Sequence, residues 1–79
     1  MILAYVLAKV EAGKDRETLN GIKKISGVKR ARATYGTYDL VVEVSFDSIE
    51  ELDEFVFDRL RKIPHVKETV TVICSETMS

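Results

Sequence analysis

The chain has 79 residues and a formal net charge of −1, with 12 Lys and Arg set against 13 Asp and Glu, a balance that gives no general attraction to nucleic acid. One cysteine, Cys74, and one histidine, His65, exclude an internal disulfide and argue against a zinc site built from His and Cys. So short a chain buries only about 60% of the surface its unfolded form exposes, which leaves oligomerisation as the way to reinforce a marginal core.

Met1 to Val10 alternates as a strand. Ile2, Ala4, Val6, Ala8 and Val10 share one face, and Leu3, Tyr5, Leu7 and Lys9 the other. The apolar run has no basic segment before it and no small-residue cleavage site after it. It reads as an N-terminal strand, not a signal peptide or membrane span, and a reduced cytoplasmic setting without membrane contact is expected. Gly13 breaks the strand. Asp15 opens a helical stretch whose apolar residues Leu19, Ile22 and Ile25 form a narrow stripe. Ser26-Gly27 ends it, with Gly27 suited to a left-handed C-terminal cap.

Val28 to Tyr35 reads as a second strand with Ala31, Ala33 and Tyr35 on one face. Val28 has the opposite parity, which points to a bulge or a late start. Asp39 to Phe46 is a strong third strand, with Leu40, Val42, Val44 and Phe46 facing one way and Val41 the other. Ser48-Ile49-Glu50-Glu51 is a capping box. The helix it opens carries Leu52, Phe55, Val56 and Leu60 on one side, is acidic at its start and basic at its end, and stops at Pro64. Val66 to Ser75 is the last strand, read with Val66, Val70, Val72 and Cys74 towards the helices and Thr69, Thr71 and Ile73 away from them.

The order strand-helix-strand-strand-helix-strand predicts an α+β fold. It is the ferredoxin-like βαββαβ arrangement, a four-stranded antiparallel sheet with both helices on one face, in a single domain over residues 1–79. The opposite face should carry Leu3, Tyr5, Leu7, Val41 and Ile73. That many large apolar groups on an open face imply a partner surface. Sheet-to-sheet dimerisation into an α/β sandwich, burying roughly 800 Å² per partner, is the simplest answer.

The densest recognition chemistry lies in the run Tyr35-Gly36-Thr37-Tyr38-Asp39, between two strands. Asp39 supplies a carboxylate for an ammonium group. Amides around Gly36 and Tyr38 can receive a carboxylate as an anion nest. Tyr35 and Tyr38 supply aromatic walls, and Thr69, Thr71 and Ser75 a polar rim from a neighbouring subunit. The bland alternative is a plain hairpin turn. Elsewhere, Lys23, Lys24, Lys29, Arg30 and Arg32 read as a solvated helix end and strand edge. Cys74 reads as an inert core thiol, His65 as a loop residue, and Phe46, Phe55 and Phe57 as core or interface material. The absence of glutamine and the single asparagine, Asn20, lean towards a thermophilic source.

Four features together resemble the ligand-binding and oligomerisation (RAM) domain of the Lrp/AsnC transcription regulators. They are the hydrophobic first strand, the Gly27-Val28 helix stop, the Gly36-Thr37-Tyr38-Asp39-Leu40 turn, and the Thr69-Val70-Thr71 strand after Pro64. The resemblance covers essentially the whole chain. It implies a non-enzymatic regulatory module with no cofactor. It also implies homodimers that build a larger, octamer-like ring, with an amino-acid effector bound between dimers at about this turn. Full-length members carry an N-terminal helix-turn-helix domain. This sequence starts at the first strand, so a stand-alone version without direct DNA binding is expected, acting through partners such as full-length regulators. Two alternatives stay open. One is a purely structural co-assembly module. The other is an ACT-like amino-acid-binding domain with its ligand at the Gly13 loop. An acylphosphatase-like enzyme would want an arginine-bearing cradle where this chain has Glu11-Ala12-Gly13-Lys14.

Overall fold

A computed structural model describes residues 1–74. The elements are β1 (Ile2–Val10), α1 (Asp15–Lys23), β2 (Val28–Ala33), β3 (Leu40–Phe46), α2 (Ile49–Glu54) and β4 (Val66–Ile73). A π-helical turn, Phe55–Arg59, and a 3-10 turn, Leu60–Lys62, prolong α2. The strands form one sheet in the order β2-β3-β1-β4, every neighbouring pair antiparallel. This is the expected ferredoxin-like βαββαβ fold.

The core forms where the alternation of β1 and β3 meets the helix stripes. Ala4, Val6 and Ala8 of β1 and Leu40, Val42 and Val44 of β3 are fully buried. Ile22 covers them from α1, and Leu52, Phe55, Val56 and Leu60 from α2 and its continuation. The α1 stripe is centred one residue earlier than the apolar spacing suggests. Thr18 and Ile22 are buried, and Leu19 and Ile25 only partly so.

Local signals act as the sequence implies. The Ser48 hydroxyl accepts from the Glu51 N–H at 3.2 Å. Glu51 reaches back to the Asp47 N–H at 3.0 Å, one residue before the cap. Gly27 takes φ +95° after α1. A side chain there would also collide with the Phe46 ring. The α2–β4 turn is less ordinary. His65 adopts φ +78° although it carries a side chain. Its carbonyl accepts from the Glu11 N–H at 3.0 Å. Its ring nitrogens lie 3.3 Å from Glu11 and 3.4 Å from Glu17. His65 thus ties the α2–β4 turn to the β1–α1 connection and to helix α1.

Two bulges set the faces of the edge strands. In β2 the register shifts between Val28 and Arg30, as the parity of Val28 suggests. In β4 it shifts where Lys9 opposes Glu68 and Val10 opposes Val66, so Lys67 is the extra residue. This second bulge overturns the expected β4 faces. Val66 does pack on the core. Beyond Lys67 the parity inverts. Thr69, Thr71 and Ile73 oppose Ala8, Val6 and Ala4 and so lie on the helix side. Val70 and Val72 oppose Leu7 and Tyr5 and so lie on the open face. Ile73 therefore does not belong to the open-face set, and Cys74, whose N–H donates to the Leu3 carbonyl at 2.9 Å, continues the open-face parity.

Three stability outcomes are expected. Gly27→Ala combines left-handed strain with overlap on Phe46 and should cost about 2–5 kcal/mol. Gly36→Ala, at φ +109° with open space around it, should cost only about 1–2 kcal/mol. Thermal unfolding of the two variants would rank them, and equal losses would contradict the close contact with Phe46. Among the described residues, the buried Thr18 hydroxyl has no hydrogen-bond partner. Thr18→Val should therefore stabilise the fold by about 1 kcal/mol, read as a higher urea midpoint at unchanged slope.

Candidate functional site

The β2–β3 connection runs from Thr34 to Asp39 and is held by a short set of hydrogen bonds. The Asp39 N–H donates to the Ala8 carbonyl at 2.9 Å, and the Thr34 N–H donates to the Asp39 carbonyl at 2.8 Å. The Thr34 hydroxyl donates to the Tyr38 carbonyl at 2.8 Å. The Val10 N–H donates to Asp39 Oδ2 at 2.9 Å, in a partly buried setting. One carboxylate oxygen of Asp39 is thus committed to the end of β1. The other has no partner among the described residues.

Between these anchors the chain bulges outward. Tyr35, Gly36 and Thr37 are exposed, and Tyr38 and Asp39 half-buried. Gly36 sits at φ +109°. Among the described residues, no hydrogen bond is donated by the backbone N–H groups of residues 35 to 38. They form a run of free donors beside the Asp39 carboxylate. Lys9 Nζ lies 5.6 Å from the centre of the Tyr38 ring, a cation–π distance that steadies the tyrosine from the open face.

A cleft of about 510 Å³ opens beside this loop, lined by Asp15, Ala33, Thr34, Tyr35, Gly36 and Asp39. Its charged lining is two carboxylates. Asp15 is the first residue of α1, brought there by the Gly13 turn at φ +80°. A lining of paired carboxylates with nearby free amides suits a small zwitterion, with its ammonium on the acids and its carboxylate on the amides.

The sequence-predicted residues divide. Tyr35, Gly36 and Asp39 line the cleft, and Thr37 and Tyr38 complete its loop. Thr69 opposes Ala8, on the far side of β1 from Leu40, and Thr71 opposes Val6. Both therefore sit on an outer edge and do not join the cleft within one protomer. Ser75 lies outside the described residues. Asp15 and Thr34 were not singled out by the sequence. Asp15 reads there as an ordinary helix-start acid, and only its position across from Asp39 distinguishes it.

Comparison with known proteins gives the family. The model of the Lrp/AsnC ligand binding domain matches residues 3–79. The HTH-type transcriptional regulator FL11 of Pyrococcus horikoshii is 37% identical over 76 residues, covering 96% of this chain and 50% of FL11. The chain thus spans about half the length of the curated relatives it matches. The crystal structure of FFRP-DM1 superposes with a TM-score of 0.90 at 37% identity, covering 95% of this chain and all of that one. At 19% identity, where only the fold is shared, the transcriptional regulator NMB0573 of Neisseria meningitidis in complex with L-Met superposes with a TM-score of 0.86, covering 99% of this chain and 52% of that one. On the fold and the family match alike, this chain belongs to the Lrp/AsnC ligand-binding domain family.

Proposed function

We propose that the chain is an effector-binding, self-assembling regulatory module acting in transcription, with a free amino acid as its effector. The observation that carries this reading is the cleft between Asp15 and Asp39, flanked by the free amides of residues 35 to 38. The carboxylates receive the ligand ammonium, the amides its carboxylate, and Tyr35 offers a fully exposed ring for the side chain. The cleft is open on one side. Thr69 and Thr71, on the β4 edge of a neighbouring subunit, would supply the missing wall. The L-Met complex of the Neisseria relative supports this ligand class. Asp15 lies two residues after Gly13, whose loop is where an ACT-like domain would hold its ligand.

Assembly begins at the open sheet face. Leu3, Tyr5, Leu7 and Val41 share it with Val70 and Val72. Tyr5, Val70 and Val72 are 37%, 39% and 50% exposed. A second copy packed on this face removes the stripe from water and gives the dimer from which larger rings are built. No described helix is long and apolar enough to cross a membrane. In this proposal the module works in the cytoplasm, beside full-length regulators with which it co-assembles.

Asp15→Asn should weaken amino-acid binding about 10- to 100-fold, the value of one charge-assisted hydrogen bond, and leave the thermal midpoint almost unchanged. Titration of the purified protein with each common amino acid, followed by calorimetry, would measure it. Unchanged affinity in this variant would remove Asp15 from the site. Failure of every amino acid to bind the parent, with assembly intact, would leave a structural co-assembly role. Asp39→Ala should lose affinity and stability together, because it also frees the Val10 N–H. Leu7→Glu places a charge at the centre of the open face and should turn the dimer into a folded monomer in sedimentation velocity. A dimer that survives it is held together elsewhere.

A further inference from the structure

Among the described residues, His65 alone takes a positive φ while carrying a side chain, at +78°. That conformation is uncommon outside glycine and persists where the surroundings hold it. Here the hold includes two carboxylates. Nδ1 lies 3.3 Å from Glu11 Oε2, and Nε2 lies 3.4 Å from Glu17 Oε2. The His65 side chain is 24% exposed, the two acids 57% and 66%. A neutral imidazole has one N–H and one bare nitrogen, so it donates to one of these acids and turns a lone pair towards the other. Both contacts are hydrogen bonds only when the ring carries two protons and a positive charge. Lys14, on the β1–α1 connection, approaches Glu17 at 3.9 Å. Lys62, at the end of the 3-10 turn, and Lys67, at the β4 bulge, flank His65 in the chain. Among the described residues, neither lysine forms an ion pair.

The segment that His65 grips is the one that builds the cleft. At the end of β1, two successive amides are tied in opposite directions. The Val10 N–H donates to Asp39 Oδ2 at 2.9 Å, on the β3 side. The Glu11 N–H donates to the His65 carbonyl at 3.0 Å, on the β4 side. The Glu11 carbonyl then accepts from the Lys14 N–H at 3.0 Å, which closes the turn that delivers Asp15 to the cleft. Residues 10 to 15 are therefore fixed at one margin by Asp39 and at the other by His65.

We propose that His65 is a positioning residue for the cleft, and that its charge sets how firmly residues 10 to 15 are held. With the ring charged, Glu11 and Glu17 are both bound, and the first turn of α1 is clamped to the α2–β4 turn. As pH rises and the ring becomes neutral, one of the two contacts is lost and the segment loosens. A histidine changes charge between about pH 5 and 8, so effector affinity falls as pH rises through that range. The effect on affinity rests on the cleft being the effector site, as proposed above. The loosening of the segment does not.

His65 is the only histidine of the chain, so its ring can be followed alone. The test is proton–nitrogen correlation NMR of the full chain without effector, from pH 5 to 8. The amides of Glu11, Lys14 and Asp15 should shift together with the His65 ring, at one midpoint. His65→Gly accepts the left-handed backbone without strain and removes the ring. It should stay folded, and those amides should no longer move over the same range. Amides that ignore the ring in the parent, or that shift alike in His65→Gly, would overturn the proposal. A second arm titrates L-methionine into both proteins by calorimetry at pH 5.5 and 7.5. The parent should bind about 2- to 5-fold more tightly at pH 5.5, the worth of one exposed charged contact, and His65→Gly should bind equally at both. A ring that only stabilised the fold would leave the parent's affinity alike at the two values, and that result would sever His65 from the cleft. Absence of L-methionine binding to either protein counts against that ligand for the cleft, and the spectra then decide the role of His65 alone.

Discussion

The bonds that pin Asp39 to the end of β1 are the constraint on which the rest of the site depends. Its amide and carbonyl join Ala8 and Thr34, and its carboxylate takes the Val10 N–H. These few contacts fix where β2 turns into β3, hold the exposed loop against the sheet, and set the distance to the turn that delivers Asp15. The residue is therefore scaffold through one carboxylate oxygen, and the proposed function assigns the other to the ligand. A carboxylate already committed on one oxygen needs no reorganisation before a cation reaches the other, which is the economy of a preorganised site.

Much of this was legible in the sequence because several signals agreed at each element. β1 and β3 alternate cleanly, Gly27 and Pro64 end the helices, and the Ser48–Glu51 box starts α2. Where signals agree, periodicity gives the buried face. The Val28 parity even disclosed the β2 bulge. The β4 bulge left no such trace. Thr69-Val70-Thr71-Val72-Ile73 is β-branched on both faces, so either parity reads as a good strand, and at a sheet edge neither face is buried enough to select one. Asp15 escaped for a related reason: an acid at a helix start already has an explanation, and its second neighbour, Asp39, is distant in sequence.

The two edges of the sheet are managed differently. β2 is lined with cations and broken early by its bulge, so its backbone groups are shielded from casual pairing. β4 is long, uncharged beyond Glu68 and exposed on both faces. A small core supports such a strand poorly in isolation. The same chain offers a bare apolar face and a bare strand edge, and the proposed dimer covers the first with a second copy of itself.

The extra residue at Lys67 also says how such a surface could change. Because the sheet repeats every two residues, drawing Lys67 into the ladder opposite Lys9 would realign everything after it. Val70 and Val72 would turn towards the helices, and Thr69, Thr71 and Ile73 would turn to the open face. A one-residue slip of β4 would thus exchange an aliphatic patch for one rich in hydroxyls while leaving the other strands in place. Deleting Lys67 would instead remove the bulge and keep Thr69 opposite Ala8 and Val70 opposite Leu7, so a single extra residue is what leaves β4 a choice of faces.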